Sequence, residues 1–180
     1  MIQFHRFAPV VLCGVVLSLF ITGANPASAA PCPSPTVGGK AIGWIEFDGI
    51  KVPLKRVNAP AGGELVPPAT AQAAGVTRQH QPLLASEGTT VIAWHVRYGK
   101  GCNGSLNPLL ALPKGSTFDI VTAKGDRQTY ALTSKVTIPR GKYRPEWFRS
   151  SGDPQVALFT CADPQGGIYQ KTTALFAEPI

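Results

Sequence analysis

From residue 41 onward, apolar residues arrive in short runs broken by turn residues, with little of the spacing of a helix face. Residues 41–47 and 50–57 flank Asp48-Gly49, a pairing that predicts a β-hairpin. Residues 67–74 predict the best helix, with Pro at the start, Ala throughout and Gly75 as the stop. Residues 89–96 predict a strand. Residues 105–112 predict a helical turn with Leu106, Leu109 and Leu110 on one face. Residues 117–123 and 127–138 predict strands joined by Lys124-Gly125-Asp126, and 139–152 a loop carrying Tyr143, Trp147 and Phe148. Strands over 155–161 and 169–177 complete the set. Many short strands with regular turn punctuation point to a single β-barrel or sandwich.

With 180 residues, one domain is expected, long enough to bury a core without needing disulfides. The net charge of +7 is spread along the chain with no platform of interleaved aromatic and basic residues. This argues against nucleic acid and for an anionic envelope polymer, a membrane surface or a solvated basic face. Residues 1–29 read as a targeting segment: His5-Arg6, an apolar stretch over 7–21, then Ala27-Ser28-Ala29 as a cleavage site. The segment is expected to be a cleaved signal peptide or an N-terminal membrane anchor, placing the protein outside the cell or at the outer face of its membrane. Leu12, ahead of Cys13, is not the small residue that a lipid-acceptor site prefers. Residues 30–40 are rich in Pro, Gly and Ser and read as a linker, leaving 41–180 as the folded domain.

Two of the apolar runs end on chemistry. Val91-Ile92-Ala93-Trp94 ends on His95, and Val156-Ala157-Leu158-Phe159-Thr160 ends on Cys161. A thiol at the end of a buried strand is held by the scaffold yet faces the loops. With an imidazole at the end of a second strand, this predicts a cysteine-nucleophile enzyme. Alternation places Ala93 with His95 and Phe159 with Cys161, expected on the core-lining side of each strand. His95 could act as base toward the thiol or as the acid that protonates a leaving amine. His80, in a polar run, reads as a surface-loop residue. Without the targeting segment, Cys32, Cys102 and Cys161 remain, an odd count that outside the cytosol suggests one reactive thiol and one disulfide. Cys32 and Cys102 sit in loop-like sequence and are the disulfide candidates. No metal-ligand spacing and no phosphate-binding glycine loop is present, so no metal and no cofactor is expected.

These residues resemble the sortase family, and most of all its actinobacterial class F and class E members. Ala157-Leu158-Phe159-Thr160-Cys161 is similar to the family's T-L-x-T-C, and Val91-Ile92-Ala93-Trp94-His95 to V-I-x-G-H. Further similarity runs from Gly43 to Val52, from Leu112 to Phe118 and from Tyr169 to Ala177. The resemblance implies an all-β, eight-stranded sortase-like barrel with one or two short helices. It implies a cysteine transpeptidase that cuts an LPxTG-like sorting signal of a surface protein between Thr and Gly. The enzyme holds the product as a thioacyl intermediate and passes it to an amine of a cell-wall precursor or pilin. By resemblance, Cys161 is the nucleophile and His95 the acid/base. The family's third residue, an Arg that stabilises the oxyanion or positions substrate, falls on Gln170. Lys171 and Arg97 are the basic residues that could stand in for it. Trp94 stands where the family has Gly. The alternative expectation is a catalytically impaired binding or assembly module with the same fold at the cell surface.

Overall fold

The computed structural model describes residues 40–58, 65–99, 101–165 and 167–180. The targeting segment, Cys32 and the linker up to residue 39 lie outside the described residues. Ten strands are described: β1 (Gly43–Phe47), β2 (Ile50–Val57), β3 (Ala74–Thr77), β4 (Thr89–Trp94), β5 (Arg97–Tyr98), β6 (Cys102–Asn103), β7 (Thr117–Thr122), β8 (Arg127–Pro139), β9 (Gln155–Gln165) and β10 (Ile168–Pro179). Eight of them close into a barrel in the order β1-β2-β3-β4-β9-β10-β8-β7, while β5 and β6 form a small separate sheet. Pairing is antiparallel except for β2 with β3 and β4 with β9. Closure leaves no free edge in the barrel itself among the described residues.

The β1–β2 hairpin forms where Asp48-Gly49 predicts it, because both residues take the positive φ, 45° and 75°, that a tight two-residue turn requires. The barrel interior is filled by Ile45, Val52, Leu54, Ile92, Trp94, Ile120, Leu158 and Leu175 among others. A second apolar cluster lies on the other face of β4, β9 and β10. There Val91, Ala93, Ala157, Phe159, Ala174 and Phe176 are covered by Trp147, with Tyr143 and Phe148 packed alongside. These three residues come from the β8–β9 connection. Trp147 and Phe148 sit on a short 3-10 turn, Pro145–Phe148, and the Trp147 ring lies tilted against Phe176 at 5.3 Å. Every residue of β4 is buried because its strand is covered on both faces.

The helix expected over 67–74 does not form. The chain there is irregular and leads into β3, which the sequence pattern did not single out. Pro67-Pro68 drives the preceding residues toward extended backbone, and the Thr70 hydroxyl accepts the Gln72 N–H in a local turn. Tertiary pairing then takes over, with Ser105 donating to the Ala71 carbonyl at 2.9 Å. The helical turn expected over 105–112 is a 3-10 turn, Asn107–Ala111. The described residues therefore contain 3-10 turns only, and no helix among them is long and apolar enough to cross a membrane.

Candidate active site

β9 lies between β4, which runs parallel to it, and β10, which runs antiparallel. The register pairs Trp94 with Thr160, so His95 and Cys161 are the next residues along two neighbouring parallel strands. Such strands run about 4.8 Å apart. The Thr160 hydroxyl donates to the Trp94 carbonyl at 2.9 Å and locks the two strands one residue before that pair; β9 runs on to Gln165, so Cys161 lies within its strand and not at the end expected from the sequence. On the other side, Thr172 lies directly across from Cys161.

Cys161 is a thiol, half-buried. It opens on a recess of about 30 Å³ lined by Leu65, Pro67, Ala93, Tyr143, Phe159 and Thr172, with Trp94 and Thr160 at its base. Ala93, Phe159 and Tyr143 belong to the second apolar cluster, not to the barrel interior. The thiol therefore stands on the outer face of the barrel wall, which corrects the expectation of a core-lining position. Alternation predicted which residues share a face. It could not say which face points inward, because the β8–β9 connection buries the outer one as well.

The His95 ring is half-buried and lies 4.8 Å from the Tyr98 ring, with the Pro68 backbone beside it. Pro68 adjoins Pro67 of the Cys161 recess. Burial holds the imidazole below its ordinary pKa, and the Pro68 backbone partly offsets this.

The backbone of His95 is set by Gly104. Gly104 donates to the Val96 carbonyl at 3.0 Å, and a Cβ on it would overlap the His95 carbonyl oxygen. Asn107 bridges the same corner, accepting from Trp94 Nε1 at 3.1 Å and donating to the Val96 carbonyl at 2.8 Å. Gly104→Ala is expected to displace His95 and cost about 1–3 kcal/mol, the usual range for overpacking. Urea unfolding and the His95 ring NMR signal check this; an unshifted His95 signal would remove Gly104 from its positioning role.

Burial also holds His80 below the ordinary imidazole value. In both histidines the folded state favours the neutral ring, so the unfolded chain binds more protons as the pH drops through about 6.5. Stability is then full above that range, falls as the pH drops through it, and levels off once the folded rings protonate. Glu46 and Asp163 are held below the ordinary carboxylate range by hydrogen bonds from Lys51 and Lys171, so their contribution is lost further down. Urea unfolding at neutral pH and near about pH 5 should show the loss, and His80→Asn should flatten part of the slope.

The remaining residues singled out in the sequence are dispersed. Gln170 is exposed and two residues before Thr172 on β10, and its backbone carbonyl accepts from Arg140 at 2.9 Å. Lys171 pairs with Ala162 across the strands and places its ammonium 2.9 Å from Asp163. Arg97 is exposed on β5, outside the barrel, opposite Asn103. Cys102 lies on β6 opposite Tyr98 and is disulfide-bonded, with its partner outside the described residues, as is the expected partner Cys32. Among the described residues no three of His, Cys, Asp and Glu converge as a metal-binding group. Sequence reasoning missed Thr172, Tyr98 and Gly104. Thr172 had a readable signal: Gly166-Gly167 predicts a two-residue hairpin pairing Gln165 with Ile168, and counting back reaches Cys161 opposite Thr172.

Comparison with solved structures assigns the architecture. Sortase C from Clostridium perfringens SM101 matches with a TM-score of 0.58 and 17% identity, covering 79% of this chain and 71% of that one. The pilus-related sortase C of Group B Streptococcus matches with a TM-score of 0.60 and 17% identity, over 79% and 68%. Listeria monocytogenes sortase A matches with a TM-score of 0.56 and 18% identity, over 79% and 88%. The fold is that of the sortases. No family model matches the sequence, and no curated protein does either.

Proposed function

We propose that the protein is an exported cysteine transpeptidase of the sortase type, secreted or anchored at the outer face of the cell membrane. The observation that carries this reading is the parallel register that brings His95, the residue after the end of β4, alongside Cys161 within β9. The Pro67-Pro68 segment supports it, lining the thiol's recess with one residue and setting its backbone beside the imidazole with the next. In the proposed reaction, His95 takes the Cys161 proton and the sulfur attacks a peptide carbonyl of an LPxTG-like sorting signal. An S–C bond forms, the C–N bond breaks, and His95 returns the proton to the leaving amine. An amine of a cell-wall precursor or pilin then attacks the thioester carbonyl and the thiol is regenerated.

Tyr143 and Phe159 form an apolar wall of the recess beside the sulfur. For the oxyanion, Thr172 offers a hydroxyl across from the sulfur and Gln170 a neutral amide further along β10. Lys171 is engaged by Asp163. An uncharged donor set makes a slow enzyme, so Gln170→Arg is expected to raise turnover about tenfold, the gain from a charge-assisted hydrogen bond over a neutral one. The test of the reading itself is mass spectrometry of the full chain incubated with an LPxTG-type peptide. A thioester adduct on Cys161 is the expected result. No adduct from any sorting-signal peptide, together with saturable binding of one, would replace catalysis with the binding-module reading.

A further inference from the structure

β4 ends at Trp94, and its pairing with β9 ends there too, at Thr160. The chain then passes through His95 and Val96 into β5 and β6, two residues each. These pair antiparallel, Arg97 with Asn103 and Tyr98 with Cys102, as a sheet separate from the barrel. The imidazole thus sits on the link between the barrel wall and a small hairpin, with no strand pairing of its own. A two-stranded pair this short is marginal by itself in water. Two connections hold this one. At its base the Val96 carbonyl accepts from the Gly104 N–H at 3.0 Å and from the Asn107 side chain at 2.8 Å. Further out, Cys102 is disulfide-bonded directly opposite Tyr98.

Tyr98 is the hairpin residue that reaches the imidazole. The two rings lie 4.8 Å apart, their planes tilted by 39°. Tyr98 is itself 39% exposed, so the contact orders the histidine more than it fills a core. A side chain that must present one ring atom to a neighbouring thiol works only if packing fixes its rotamer. For His95 that packing is the Tyr98 ring and the Pro68 backbone.

We propose that Tyr98 is a positioning residue for His95, and that the Cys102 disulfide, acting across the β5–β6 pairing, holds Tyr98 in place. His95 then keeps its working orientation only while that disulfide is closed. The effect on rate rests on the transpeptidase reading; the effect on the His95 ring does not.

Three variants of the full chain test this: Tyr98→Ala, Tyr98→Phe and Cys102→Ser, the last kept in a phosphine reductant so that the thiol it releases stays reduced. Two quantities are read, the nuclear Overhauser contacts between the His95 ring and Pro68, and kcat and KM for transfer from an LPxTG-type peptide. Tyr98→Ala should weaken the contacts and lower kcat by about tenfold to a hundredfold, the cost of a misplaced catalytic group. KM and the thermal midpoint should change little, because Tyr98 is exposed and lies outside the barrel. Tyr98→Phe should restore the contacts and kcat, since the ring makes the contact. Cys102→Ser, and the parent chain in the same reductant, should weaken the contacts although Tyr98 is present. A lower midpoint in Tyr98→Ala with kcat and the contacts intact would make Tyr98 merely structural and overturn the proposal. Intact contacts in Cys102→Ser would overturn the part assigned to the disulfide. If the parent chain turns over no peptide, the transpeptidase reading fails, and the Overhauser contacts alone decide the positioning role.

Discussion

Cys161→Ala should abolish acyl transfer from a sorting-signal peptide, by at least about a thousandfold, while the thermal midpoint stays close to that of the parent chain. The size follows from the role. Removing the nucleophile of a covalent mechanism leaves only binding and oxyanion contacts, and nucleophile deletions elsewhere cost up to about a millionfold. The small effect on stability follows from the place. Cys161 is only half-buried, and it borders a recess rather than a packed core. Peptide turnover and calorimetry on the two proteins separate the effects. Undiminished turnover in the Ala variant would end the transpeptidase proposal. Loss of turnover together with a large fall in melting temperature would instead assign Cys161 to packing.

Trp94→Ala should have the reverse signature, a severe loss of stability from a residue whose side chain points away from the thiol. Trp94 is 1% exposed and fills the barrel interior beside Ile92 and Leu158. Its indole N–H is held by Asn107, which also braces Val96. Truncating a buried Trp costs about 3–5 kcal/mol, a large share of the roughly 5–15 kcal/mol that holds a domain folded. Urea unfolding should show it, with a melting midpoint lower by roughly ten degrees or more. Trp94→Phe keeps most of the volume and orphans Asn107 Oδ1, so a loss of about 1–3 kcal/mol is expected. A loss below about 1 kcal/mol in the Ala variant would mean that the barrel closes over the gap. Trp94 is thus a core residue, and its bulk is turned away from His95.

How much of the domain could be read beforehand depends on whether the deciding interactions are local. The β1–β2 hairpin was legible because Asp48-Gly49 encodes its own turn. The strands of β4, β7, β8, β9 and β10 were legible because each is a long apolar or alternating run between turn residues. The short strand β3 was not. Its four residues carry no period, and they become a strand by pairing with β2 and β4. The expected helix over 67–74 failed for the same reason, since Ala-rich propensity is weaker than two prolines and a docking site on Ser105.

The candidate site divides along the same line. Sequence by itself determined that His95 and Cys161 end buried runs, and which neighbours share a face with each, because alternation is a local property of a strand. The tertiary structure alone decided that those two runs are adjacent and parallel, with Trp94 beside Thr160. It decided that the reactive face is the outer one, and that Thr172 stands across from the sulfur while Lys171 turns to Asp163. Barrel order, register between distant strands and the docking of a loop on a sheet depend on contacts between residues far apart in the chain. No local pattern carries them, because the free energy that selects them appears only when the whole barrel closes.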